Sequence, residues 1–338
     1  MRAPGFYFEP PGIAANLLSP LAAIYGAVAA ARMRRSGKRA AVPVVCVGNL
    51  TLGGAGKTPT ALALATLLAA KGERPVFLSR GYGGSERGPL VVDLEKHRAS
   101  DVGDEPLLLA RAHPTIVAGD RTAGAELALK HQASVLVLDD GFQNPDLEKD
   151  LSVVVVDGIS GIGNAAVFPA GPLRAPLDAQ IERAHVIIRV REGNAADPVI
   201  KQAKANGIPV LVAKLAADKN VAASFAGRNV LAFAGIGQPA KFFASLNSIG
   251  ANVRESHAFS DHHRYSSHDA RLLLAAAKAG NLQPVTTEKD LARMRGEPAL
   301  EELVAATQVL PVQLEFENPG EMRSLLDRAI ARARKSAP

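Results

Sequence analysis

Thr51-Leu52-Gly53-Gly54-Ala55-Gly56-Lys57-Thr58 constrains the fold of this chain more than any other stretch. It follows the β-branched apolar run Val42 to Val47 and precedes the helix-compatible run Thr60 to Ala70. A strand, a glycine-rich loop and a helix in that order form a phosphate-binding loop. The glycines let backbone N–H groups converge on phosphate oxygens, and the helix start adds its dipole. Lys57 then reaches the terminal phosphates, and the Thr58 hydroxyl is placed to hold a magnesium ion. The usual pattern opens on Gly five places before Gly56, where this chain has Thr51; Gly53 and Gly54 supply flexibility instead. The expected ligand is a nucleoside triphosphate.

The 338 residues allow about two domains, and 47% apolar with 21% charged residues is an ordinary globular composition. The lone Cys46 lies in the strand before the loop, which excludes a disulfide framework and fits a reducing compartment. A net charge of +6 suits an anionic partner. With only 4% aromatic residues and no basic tract interleaved with them, a nucleic-acid stacking platform is not expected.

Gly12 to Ala31 carries no charge, and Ile13, Leu17, Leu21, Ile24 and Val28 recur at helical spacing on one face. Arg32, Arg34, Arg35, Lys38 and Arg39 follow at once. A signal peptide has its basic region before the apolar run, so this order argues against one. Two readings fit: a helix packed on the protein's own core, or one lying in a membrane interface with the basic cluster on anionic headgroups.

Beyond the loop, β-branched runs alternate with helical stretches, which predicts an α/β fold with a mostly parallel sheet flanked by helices. Strands are expected at Val76 to Ser79, Leu90 to Val92, Thr115 to Ala118, Val135 to Leu138, Val153 to Asp157, Val186 to Val190 and Pro209 to Ala213. An Ala-rich, aperiodic stretch near Ala216 to Arg228 marks a boundary. The expected organisation is an N-terminal membrane-associated helix at 1–40, a nucleotide-binding domain at 41–225, a smaller α/β domain at 226–314, and a C-terminal helix at 315–338. In that last helix Met322, Leu325, Leu326 and Ile330 share one side, suited to folding back on the first domain.

Chemistry beyond the loop needs a carboxylate at a neighbouring strand end, and Val135 to Leu138 runs into Asp139-Asp140-Gly141. Adjacent aspartates point in different directions and suit different roles. Asp104, in Gly103-Asp104-Glu105-Pro106, is either a helix N-cap or the base that phosphoryl transfer requires. Ser260-Asp261-His262-His263-Arg264-Tyr265 is either a solvated polar loop or a histidine tuned by a carboxylate; it lacks zinc-site spacing. Arg80, after a strand and before a flexible loop, and Arg174, after a rigid turn, are candidate phosphate cations. Thr286-Thr287-Glu288-Lys289-Asp290 reads as a strand end and helix cap.

Taken in order, Gly48 to Pro59, Ser79 to Gly83, Gly103 to Pro106, Asp139 to Gln143, Pro169 to Arg174, Phe259 to His262 and Thr287 to Asp290 resemble the tetraacyldisaccharide 4′-kinases of lipid A biosynthesis, over nearly the whole chain. In that family Thr replaces the first loop glycine. The resemblance implies a P-loop kinase at the cytoplasmic face of the inner membrane, using ATP and magnesium to phosphorylate the 4′-hydroxyl of a tetraacyldisaccharide 1-phosphate, a lipid disaccharide, to lipid IVA. It implies Asp104 as base paired with His262, Lys57 on the β- and γ-phosphates, Thr58 with Asp139 and Asp140 for magnesium, and Arg174 on phosphate charge. Asn144, Ser260 and Ala175 depart from the family's common residues. A regulatory ATPase switching partners at the membrane would use the same loop, but gives Asp104, His262 and the apolar helix no joint purpose. A membrane adaptor would explain only the N-terminus.

Overall fold

The computed structural model describes residues 4–336. Residues 1–3 and 337–338, inside the expected segments 1–40 and 315–338, lie outside the described residues.

The chain folds around a nine-stranded sheet. Its strands are β1 (Val44–Asn49), β2 (Pro75–Ser79), β3 (Leu90–Val91), β4 (Thr115–Val117), β5 (Val135–Asp139), β6 (Leu151–Asp157), β7 (Val186–Val190) and β8 (Val210–Ala217), and one later strand completes it. A four-stranded sheet holds β9 (Asn229–Ala234), β10 (Asn252–Ala258), β11 (Gln283–Thr286) and β12 (Gln308–Val309), after which β13 (Val312–Phe316) rejoins the first. The large sheet runs β13-β8-β7-β6-β1-β5-β2-β4-β3. All its pairings are parallel except β13 with β8 and β3 with β4, at the two edges.

Burial explains the continuous apolar runs. Every residue of β1, β5 and β6 is buried, as expected of parallel strands covered on both faces. One layer of helices covers each face, and the C-terminal helix Pro319–Lys335 belongs to the layer over the β1 and β6 side chains Val45, Val47 and Val153. There Met322, Leu326, Ala329 and Ile330 pack with Leu64 and Leu68 of the helix Lys57–Ala69. The chain leaves β1 toward β2, β4 and β5 on one side and then crosses to β6, β7 and β8 on the other. A ligand crevice belongs at the carboxyl end of the strands where that direction reverses, and the glycine-rich loop leaves β1 there.

The smaller sheet, β10-β9-β11-β12, is wholly parallel. Leu231, Phe233, Tyr265, Leu273 and Met294 make a core on one side, with Phe225, Phe242 and Leu246 on the other.

The N-terminal helix Ile13–Met33 has two unlike faces. Ala15, Ala22, Gly26, Ala30 and Met33 are buried, with Gly26 close to Pro176 and Val167. Ile13, Leu17, Leu21, Ile24 and Val28 point outward with 58% to 82% exposure. The small residues therefore pack inward, and the large apolar row predicted from the spacing faces away from the protein.

Candidate active site

The loop conformation explains its unusual first residue. Thr51 forms an antiparallel bridge with Leu173, Leu52 N donates to Pro172 O at 2.8 Å, and Arg174 N donates to Leu50 O at 2.9 Å. Extended backbone accepts any residue, so glycine is not needed at position 51. It is needed at Gly53 and Gly56, whose φ values are +106° and +92°.

Lys57 and Thr58 open the following helix and are buried. Lys57 Nζ lies 3.3 Å from Asn49 Oδ1, 3.5 Å from Gly53 O and 3.6 Å from Asp140 Oδ2. Burial lowers its pKa, against the opposing pull of Asp140. Thr58 Oγ1 donates to Asp139 Oδ2 at 3.1 Å.

The two aspartates diverge because Asp139 ends β5 while Asp140 adopts φ +55°. Asp140 is gripped by both terminal nitrogens of Arg174, at 2.8 Å and 3.1 Å. Asp139 is buried, and its Oδ1 has no hydrogen-bond partner. Burial raises its pKa, and Glu105 and Asp140 raise it further. A buried carboxylate oxygen without a donor is the kind of group a divalent cation satisfies.

Asp104 begins the helix Asp104–Ala110, and Gly103 takes the capping position expected of it. Gly103 has φ +88°, and a Cβ there would lie 2.5 Å from Tyr82 O. Asp104 Oδ2 faces His262 Nδ1 at 3.5 Å, so the two residues named from separate segments do meet, across the two sheets' units. His262 holds φ +56°, with its N–H on Gly235 O at 3.0 Å and its ring edge-on to Tyr82 at 5.6 Å. Its pKa is raised by the hydrogen bond with Asp104, against burial. Burial would raise Asp104, but His262, Arg293 and Lys289 together hold it well below the usual carboxylate range. His263, beside it, stacks on Phe259 at 4.6 Å and pairs with Asp269, which makes it structural.

Arg80, the other candidate cation, is exposed, while Arg174 is bonded to Asp140 and Thr51 inside this convergence. Several site residues were passed over in the sequence. Asn49 is buried, links Lys57 to Gly53 O, and receives Gln143 Nε2 on its carbonyl at 2.7 Å. Arg121, the first residue of the helix Arg121–Lys130 packed on β2 and β4, is buried with Nη1 unpaired. Glu105, Lys289 and Arg293 complete the ion pairs around Asp104. The available signal was position: Asn49 is the last residue of β1, and Arg121 opens the helix that follows β4.

The family model for Tetraacyldisaccharide-1-P 4′-kinase matches residues 14–331. Relatives called tetraacyldisaccharide 4′-kinase include one from Rhodopseudomonas palustris (strain BisB5), 52% identical over 99% of this chain and 98% of its own length. Another, from Nitrobacter winogradskyi, is 49% identical over 99% of both. The solved structure of LpxK from Aquifex aeolicus in complex with ATP superposes with a TM-score of 0.71 at 26% identity, covering 94% of this chain and 99% of that one. With these matches running end to end, the chain belongs to the tetraacyldisaccharide 4′-kinase family.

Proposed function

We propose that this chain transfers the γ-phosphate of ATP to the 4′-hydroxyl of a tetraacyldisaccharide 1-phosphate, with Asp104 taking the hydroxyl's proton. The observation that carries this is the placement of the adjacent acids Asp104 and Glu105. Asp104 meets His262, while Glu105 acts electrostatically on Asp139 and on Lys57 of the phosphate loop. One helix turn thus joins the acceptor side to the nucleotide side.

In this reading the backbone N–H groups of residues 53–58 bind the phosphates, and Lys57 swings from Asn49 and Asp140 onto the β- and γ-oxygens. Arg174 supports charge on the transferring group, held in aim by Asp140. Magnesium would be held by Thr58 and Asp139, with Asp140 beside them. Bound there, the ion would supply positive charge against the charge that develops on the phosphates. Magnesium commonly takes one or two protein carboxylates and completes its shell with phosphates and water. His262, whose pKa Asp104 raises, faces that carboxylate and helps to keep it ionised. Because His262 comes from the smaller unit, docking of that unit completes the site and limits hydrolysis.

A lipid acceptor requires the enzyme at the bilayer. The exposed row of the N-terminal helix continues into Phe8, Tyr25 and Phe168, the last two in edge contact at 5.4 Å. Arg32, Arg34 and Arg35 are exposed at its end. The helix is long and apolar enough to cross a membrane. Its packed small-residue face favours lying along the cytoplasmic face of the inner membrane, where ATP is available. Transfer of labelled γ-phosphate to the lipid disaccharide tests the activity. ATP hydrolysis with no labelled lipid would instead support a regulatory ATPase.

A further inference from the structure

The segment Thr286 to Asp290 does cap a helix: Asp290 N donates to Thr287 Oγ1 at 3.1 Å. The helix it starts, Glu288–Met294, also carries Lys289 and Arg293 four residues apart on one face. That face meets the first turn of the helix Asp104–Ala110. Lys289 Nζ lies 2.7 Å from Glu105 Oε1, Arg293 Nε donates to Asp104 Oδ2 at 2.8 Å, and Arg293 Nη2 lies 2.6 Å from the same oxygen. Each of the two adjacent acids has its own cation from the smaller unit.

Arg293 is fixed from behind. Its Nη1 donates to Gly235 O at 2.7 Å and to Asp290 Oδ1 at 2.8 Å. Asp290 is fully buried and is held by Gly235 N, by the Tyr265 hydroxyl at 3.0 Å and by the Thr287 hydroxyl at 2.6 Å. A planar guanidinium held on both edges sets its partner's orientation as well as its charge. An ionised carboxylate offers about four acceptor positions. On Asp104, Oδ1 receives Glu105 N at 3.0 Å, while Oδ2 is taken by Arg293 and faces His262. The open position is on Oδ1.

We propose that Arg293 is a positioning residue for the transfer: reaching across from the smaller unit, it fixes Asp104 Oδ2 and leaves Oδ1 to receive the acceptor hydroxyl. This rests on the reading of Asp104 as the group that takes that proton. A carboxylate clamped in this way is a weak base. In a loose phosphoryl-transfer transition state the incoming oxygen is barely bonded, so aiming the hydroxyl contributes more than early removal of its proton.

The test compares wild type, Arg293→Gln and Arg293→Lys, each with Asp104 intact and with Asp104→Asn, by label transfer to the lipid disaccharide. Misaiming the carboxylate in Arg293→Gln is expected to lower kcat by about 10²-fold, leaving KM for ATP within about threefold of wild type. Arg293→Lys recovers part of the loss, because an ammonium supplies charge without the planar fork. The acid limb of kcat/KM moves to higher pH in Arg293→Gln, since Asp104 loses a cation. The other groups around Asp104, His262 and Arg293, namely Glu105, Lys289, Asp261, Asp290 and Tyr265, are unaltered. With Asp104→Asn in place, Arg293→Gln costs little more. The proposal is overturned by a folded Arg293→Gln enzyme with near wild-type kcat and an unmoved acid limb, or by equal losses with and without Asp104. Should Arg293→Gln not fold, wild-type kcat and an unmoved acid limb in Arg293→Lys overturn it. Wild-type turnover in Asp104→Asn alone instead removes the reading of Asp104 on which the proposal stands.

Discussion

Thr58 Oγ1 donates to Asp139 Oδ2 across the gap between the phosphate loop and β5, while the neighbouring Asp140 turns away to Arg174. The bond leaves Asp139 Oδ1 as the orphaned buried oxygen. The two aspartates are therefore separable by experiment. Asp139→Asn is expected to raise the magnesium concentration for half-maximal transfer by about 10- to 100-fold. Asp140→Asn, which releases Arg174 and Lys57, is expected to lower kcat without moving that concentration. A magnesium titration at saturating ATP checks both, and an unchanged requirement in Asp139→Asn would remove the metal role.

Arg174 grips Asp140 with two nitrogens and donates through Nε to Thr51 O at 2.9 Å. It ties the second aspartate to the start of the loop. Arg174→Ala is expected to slow transfer by about 10²- to 10³-fold, the usual cost of removing one aimed donor. Arg174→Lys is a poor substitute, because a single ammonium cannot span both carboxylate oxygens and Thr51 O. Transfer by the Lys variant equal to wild type would show that charge alone is needed there.

The raised pKa of His262 is assigned first to its hydrogen bond with Asp104, with burial opposing. Asp104→Asn should therefore lower it toward or below the ordinary value of about 6.5. Titration of the His262 ring by NMR, identified by its loss in His262→Gln, reads this directly. The sign for stability follows. A group whose pKa is raised on folding contributes stability below its unfolded pKa and loses it as pH rises through the folded value. The gap in unfolding midpoint between wild type and His262→Gln should thus be wider near pH 6 than near pH 9. A gap that grows with pH would mean the histidine is not held protonated.

How much of this was legible depends on how local each signal is. The strand, loop and helix around Lys57 are contiguous and fixed by glycines at positive φ, so the sequence states them outright. Thr51 was legible as a departure, but its bridge to Leu173 closes over more than a hundred residues and has no local trace. β10, Asn-Val-Arg-Glu-Ser-His-Ala, is an edge strand with alternating exposure whose polar residues hide the pattern. β13, Val-Gln-Leu-Glu-Phe, looks like the end of the smaller unit yet pairs with β8, because only Leu314 is buried there. Arg293 was hidden for a different reason. Lys289 and Arg293 satisfy every rule for an exposed helix face, and only the docking of the two units makes that face a binding one.

The outward row on the N-terminal helix makes the last prediction. Leu17 and Ile24 are 76% and 65% exposed, and their neighbours Ala15, Ala22 and Gly26 already hold the helix to the protein. Replacing both large residues with Glu leaves the packed face intact, so folding and transfer to detergent-dispersed acceptor should remain near wild type. Membrane binding should not. Each side chain contributes roughly 1.5–3 kcal/mol when buried in an apolar phase. Losing two, with carboxylates now facing anionic lipid, should weaken partition into acidic phospholipid vesicles by at least about 100-fold. Flotation with vesicles reads that loss, and transfer to acceptor embedded in the same vesicles should fall with it. Neutralising Arg34 and Arg35 should weaken binding by less, about 1 kcal/mol per charge, and only at low salt. Undiminished flotation of the double Glu variant would place the membrane contact elsewhere on the molecule.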